Sequence, residues 1–80
     1  MRLDRYLKVS RIIKRRTVAN EACDASYVTV NGRPAKASYQ VKENDILEIS
    51  FGQRTLRIRV KEVVETTKKE NASDMYEVIS

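Results

Sequence analysis

The 80-residue chain has no histidine and no tryptophan, one cysteine, one proline, one phenylalanine and two glycines. Each shortage excludes something. Without histidine the usual general base at neutral pH and the commonest metal ligand are missing. No paired-carboxylate or metal-ligand constellation takes its place, so neither an enzymatic activity nor a metal or cofactor is expected. A lone cysteine closes no internal disulfide, which leaves the fold to packing and suits a reducing compartment. Cys23 itself falls in a small-residue helical pattern with Val18, Ala19 and Ala22 and reads as a small buried hydrophobe. No apolar run approaches the roughly 20 residues of a membrane helix, and the N-terminus lacks the apolar core of a signal peptide. A basic amphipathic N-terminus also has the character of an organelle transit peptide, but Asp4 and the lack of serine enrichment argue against that. The expectation is a cytoplasmic protein with no membrane partner. The one Phe and four Tyr are scattered, with no pair spaced for stacking single-stranded bases.

What is present is a folded-domain composition with a strongly uneven charge. Hydrophobic residues make up 41% and charged residues 34%, enough for one small core in a single domain, 1–80, and no deep pocket. A monomer is expected. The stretch RLDRYLKVSRIIKRR holds Arg2, Arg5, Lys8, Arg11, Lys14, Arg15 and Arg16 against one acid, Asp4, a net +6. Residues 17–80 carry nine Lys/Arg and ten Asp/Glu, a net −1. The basicity is therefore local, carried on a nearly neutral platform.

At about 100° per residue, Leu3, Tyr6, Leu7, Ser10 and Ile13 share one arc of a helix and Arg2, Arg5, Lys8 and Arg11 the opposite one. One face packs and the other is free to bind. Asp4 either pairs with Lys8 in the favourable i,i+4 order, worth a few tenths of a kcal/mol, or orients a neighbouring arginine. Lys14-Arg15-Arg16 interrupts the apolar stripe, and Thr17 is the expected N-cap of a second helix, from Thr17 to Ala25. Val18, Ala19, Ala22, Cys23 and Ala25 would form its small-residue packing face.

Strand signals follow. Tyr27-Val28-Thr29-Val30 alternates and runs into Asn31-Gly32, the strongest hairpin signal in the chain. The return segment Arg33-Pro34-Ala35 contains a proline and so should lie at an edge. Residues 36 to 45 read as a loop in which Val41 alone seeks the core. If Gly52-Gln53 is a two-residue turn, Leu47 faces Ile58 and Ile49 faces Leu56 on the core side, while Glu48 faces Arg57 and Ser50 faces Thr55 on the solvated side. That gives Arg57 a neutralising partner and, with Arg59, a solvated-face role. Residues 65 to 74 are polar and without period, hence a loop, and Met75–Ile79 is a final strand.

Seven cations within two helical turns and a loop suit a line of phosphates, since neutralising about six of them makes affinity fall roughly 10³-fold or more between 50 and 200 mM salt. Cationic helices also serve membranes and acidic proteins. DNA reading by a helix–turn–helix places the second helix in the major groove, yet residues 17–25 contain two acids and no Lys or Arg. A structured RNA, recognised by shape and backbone, fits better.

The order Arg2-Leu3-Asp4, Tyr6-Leu7, Ser10-Arg11, Lys14-Arg15-Arg16-Thr17, then Val28, Val30-Asn31-Gly32, Ala35, then Val41-Lys42, Asp45 and Leu47 resembles the ribosomal S-four-type RNA-binding domain over about residues 1–60. The resemblance implies an α+β fold: two short N-terminal helices packed on a small twisted antiparallel sheet, the αL RNA-binding motif. The opening residues, the Lys-Arg-Arg-Thr segment and residues 66–70 leading to Met75-Tyr76 are similar to small stand-alone bacterial members related to the heat-shock protein fifteen group. That likeness implies binding to the large ribosomal subunit obstructed by peptidyl-tRNA, through large-subunit rRNA and the tRNA. It also implies support for alanine tailing with a tRNA-recruiting quality-control partner. An alternative within the same fold is a module of ribosome assembly or of another structured RNA. By the motif match, Arg2, Asp4, Arg11, Arg15 and Arg16 contact RNA or orient the contact, and Arg5, Lys8 and Lys14 complete the basic surface. Ser26 and Asn44 stand where the family pattern has glycine.

Overall fold

The structure, a computed structural model, describes residues 1–64 and 74–79. Two helices, α1 (Leu3–Val9) and α2 (Arg16–Asp24), precede five strands: β1 (Val28–Val30), β2 (Arg33–Pro34), β3 (Ile46–Phe51), β4 (Arg54–Val60) and β5 (Tyr76–Val78). The strands form one sheet in the order β2-β1-β3-β4-β5, and all neighbours run antiparallel. The α+β architecture that the resemblance implies is the one observed.

Local chemistry explains the turns. Asn31 and Gly32 both have positive φ, 53° and 84°, as the type I′ turn of a two-residue hairpin requires. Thr29 then pairs with Pro34 and Val30 with Arg33, leaving the proline on the outermost strand. The β3–β4 hairpin has the register expected from the sequence, with Leu47 opposite Ile58, Ile49 opposite Leu56 and Glu48 opposite Arg57. Ion pairs Arg57–Glu48 at 3.0 Å and Arg59–Glu77 at 2.8 Å lie along the solvated face. The final strand is β5, shorter than Met75–Ile79, and most of the expected 65 to 74 loop lies outside the described residues.

The core lies between the helix pair and one face of the sheet. Leu3, Tyr6 and Leu7 of α1, Ala19 and Cys23 of α2, and Val28, Leu47, Ile49, Ile58 and Val60 of the sheet are all buried. Full burial of each large aliphatic side chain contributes about 1.5–3 kcal/mol. Ala37, which no pattern marked in the 36 to 45 loop, joins Val41 inside. Asp45 is buried as well, accepting from the Tyr39 hydroxyl at 2.9 Å, the Asn31 amide at 3.2 Å and the Lys42 N–H at 3.0 Å. This carboxylate ties the hairpin turn to the long connection.

Four details differ from the expected helices. The first helix stops at Val9, because Arg11 takes φ +64° and the Ile13 N–H turns back to the Leu7 carbonyl at 3.1 Å. Ile13 still reaches the core from this turn. The second helix begins at Arg16 with Arg15 as its N-cap, so Thr17 lies inside its first turn. Val18 is 47% exposed and points away from the core. Ala25 is the C-cap and is exposed, since the chain leaves the helix through Ser26 at φ +65°.

Candidate nucleic-acid interface

A seven-residue helix is too short to hold itself together in water, and tertiary bonds anchor α1. Arg2 stands at its N-cap with no side-chain cap bond. The orphan N–H groups are met from elsewhere: Leu3 donates to the Tyr39 carbonyl at 2.8 Å and Asp4 to the Ala37 carbonyl at 3.2 Å. The Arg5 N–H donates to the Asp4 carboxylate at 2.8 Å. Arg2 also bridges to Gln40. The basic N-terminus is thus fixed to the 36 to 45 connection.

Asp4 is the centre of this region. It is 1% exposed, and its remaining oxygen capacity is taken by Arg2 Nε at 3.2 Å, Arg16 Nε at 3.4 Å and Asn20 Nδ2 at 3.2 Å. Burial alone would raise its pKa. Hydrogen bonds from Asn20, Arg2 and the Arg5 N–H, with the Arg16 charge, outweigh that and hold the carboxyl below its ordinary value. Asp4 therefore spends its charge on Arg2 and Arg16 rather than on the Lys8 pair one helical turn away. Both guanidinium side chains remain about half exposed, 45% and 47%, so each is held at one end and presented at the other.

Arg2, Asp4, Arg16, Thr17, Asn20 and Glu21 line an open depression of about 390 Å³ between the starts of the two helices. The α2 N-terminus has no side-chain cap, and such an end attracts phosphate through its N–H groups and dipole. Lys14 and Arg15 are exposed in the turn that leads into it, as is Arg11 in its left-handed position. Lys8 is exposed in the last turn of α1, and Arg5 is half-buried on that helix. Arg2, Asp4 and Arg16 are brought into contact, whereas Lys8 and Arg11 lie further along α1 and its exit. Asn20 was not marked by the sequence reading; its spacing, one turn after Arg16 on the same helix face, is the signal that finds it.

The fold and this arrangement define an RNA-binding module of two helices on a sheet, and comparison with known proteins agrees. Residues 1–47 match the S4 domain. The chain is 58% identical over 80 residues to the RQC P-site tRNA stabilizing factor of Streptococcus pneumoniae, covering 100% of this chain and 91% of that protein. It is 51% identical over 79 residues to the protein of the same name from Bacillus subtilis, covering 99% and 92%. The chain belongs to the S4 domain family and to the branch of it formed by these relatives. Among solved structures, the trimeric heat shock protein 15 of Vibrio cholerae superposes with a TM-score of 0.92 at 23% identity, covering 100% of this chain and 82% of that one. The solution structure of hypothetical protein HP1423 gives 0.84 at 23% identity, covering 100% and 98%. These two likenesses are of fold. No helix of the described residues is long and apolar enough to cross a membrane.

Proposed function

We propose that the chain is a non-enzymatic RNA-binding factor of ribosome quality control. It binds the large ribosomal subunit obstructed by peptidyl-tRNA, contacts large-subunit rRNA and the tRNA, and acts as a monomer. There it supports C-terminal alanine tailing of the stalled chain by a partner that recruits charged tRNA. The names of its relatives support the process, and the S4 domain supports RNA as the ligand.

The observation that carries the reading is the buried Asp4 holding Arg2 and Arg16 at the mouth of one depression. Arg2, held through Nε and Nη2, and Arg16, held through Nε, are both about half exposed, and a guanidinium positioned in this way is prepared for a phosphate and loses less rotamer freedom on binding. Arg5, Lys8, Arg11, Lys14 and Arg15 extend the contact along the backbone. Catalysis has no part in this: the chain's role is to hold RNA segments in register.

Co-sedimentation tests the reading. Arg16→Ala should lower association with peptidyl-tRNA-obstructed large subunits while the domain stays folded, because Asp4 keeps Arg2, Asn20 and the Arg5 N–H as partners. Undiminished association of the variant would remove Arg16 from the interface. Wild-type protein that sediments with subunit precursors but not with obstructed subunits would point to assembly instead.

A further inference from the structure

The connection from Lys36 to Gln40 has the start of α1 on one flank, through the Leu3 and Asp4 N–H bonds to Tyr39 and Ala37. Lys36, Ser38 and Tyr39 of the same connection also line a second open concavity of about 710 Å³, together with Arg33, Pro34 and Ala35. Strand register gives the side of the sheet on which Arg33 lies. It is the cross-strand partner of Val30, which is buried in the core against the helices, and directly opposed residues share a face. Arg33 therefore stands on the helix side, the side of Arg2 and Arg16.

Charge sets this concavity apart from the rest of the sheet. Residues 31–40 contain two cations, Arg33 and Lys36, and no acid. The carboxylate that serves this part of the fold, Asp45, is occupied by Tyr39, Asn31 and the Lys42 N–H. On β4, by contrast, Arg57 and Arg59 are neutralised by Glu48 and Glu77. Among the described residues Arg33 and Lys36 make no ion pair, and both are exposed. Apolar walls from Pro34 and Ala35, a hydroxyl from Ser38 and two unpaired cations match a ribose, its 2′-hydroxyl and the adjoining phosphates.

We propose that this concavity is a second RNA-backbone site, in which Arg33 and Lys36 bind phosphates of a sugar–phosphate segment lying along the 36–40 connection that also anchors the start of α1. The proposal rests on the reading of the chain as a subunit-binding factor and adds residues which that reading does not use. Two sites joined through one hydrogen-bonded connection fix an RNA surface in orientation as well as in contact.

The test is binding of the full chain to purified bacterial large ribosomal subunits, vacant or carrying peptidyl-tRNA, across a salt series. The variants are Arg33→Gln with Lys36→Gln, the charge-keeping Arg33→Lys with Lys36→Arg, and Arg16→Ala. The neutral pair should bind about tenfold more weakly at physiological salt, with a log–log salt slope shallower by about 1 per cation removed. The charge-keeping pair should recover most of the loss. Weakening on vacant subunits assigns the segment to rRNA, and weakening only with peptidyl-tRNA assigns it to tRNA. A neutral pair that keeps wild-type affinity and slope, while Arg16→Ala loses affinity, overturns the second site and leaves the first standing. Wild-type protein with no affinity for either subunit overturns the functional reading and this proposal with it. Because both side chains are exposed, unchanged thermal unfolding of the variants is the folding control.

Discussion

Asp4 Oδ2 and Arg16 Nε meet at 3.4 Å across a sequence separation of 12, joining the first turn of α1 to the first turn of α2. The carboxylate side is buried and the guanidinium side is half exposed. That asymmetry decides what each substitution does. Arg16→Ala removes an exposed partner and should change stability by no more than about 0.5 kcal/mol, readable in urea unfolding, even where subunit binding is lost.

Asp4→Asn should behave in the opposite way. The carboxylate is surrounded by donors from Arg2, Arg5, Arg16 and Asn20, and an amide directs an NH2 at some of them. A loss of about 1–3 kcal/mol is expected, with both arginines released from their fixed positions. Subunit binding should fall with stability, whereas Arg16→Ala separates the two.

The same carboxyl predicts a pH dependence. Its folded pKa lies below the ordinary 3.8, so the folded state binds fewer protons than the unfolded one in that range. The stabilisation is fully present above the unfolded value and is lost as pH falls through the lower folded value. Asp4 should contribute no slope between pH 5 and 8 by this linkage, and Asp4→Asn should flatten part of the acid limb below about pH 4. A variant with an acid limb as steep as wild type would show that other carboxylates carry it.

Ser26 and Asn44 hold φ of 65° and 73°, a region that costs a side chain about 1–2 kcal/mol and costs glycine little. Ser26→Gly should raise stability by a fraction of that cost, since glycine also loses more freedom on folding. Asn44→Gly should gain less, because the Asn44 side chain accepts a 2.9 Å bond from Arg59. Comparing the two midpoints of unfolding checks the order.

Cys23 is 3% exposed, and burial first, then the Asp4 and Asp24 charges, push its thiol up to about 11. A thiol that is both covered and protonated at neutral pH should resist an aromatic disulfide reagent until the domain opens. Reaction at the rate of a free thiol in native buffer would contradict its place in the core.

The hairpins were legible because their determinants are local. Asn31-Gly32 specifies a turn, and the alternation of Leu47, Ile49, Leu56 and Ile58 leaves one register that keeps all of them on the core side. Basic residues of the opening stretch were legible as a cluster for the same reason. Helix ends were not, because α1 is closed by the carbonyls of Ala37 and Tyr39 and not by a capping side chain of its own. Periodicity placed Val18 inside; the true start of α2 at Arg16 and its close approach through Ala19 and Cys23 turn it outward. Asp45 gathers the Asn31 amide from the hairpin turn together with Tyr39 and the Lys42 N–H of its own connection, and no periodic spacing announces such a meeting.

The Tyr6 hydroxyl donates to the Met75 carbonyl at 2.7 Å, buried, across a separation of 69 residues. Met75 in turn receives the Lys61 and Glu62 N–H groups, and the strand that follows it completes the sheet beside β4. The bond ties the basic helix to the far end of the sheet, so the segment that carries Arg2 and Arg5 is held through its own buried phenol by a residue 69 positions along the chain, and shortening the chain before Met75 would loosen the cationic face along with the core.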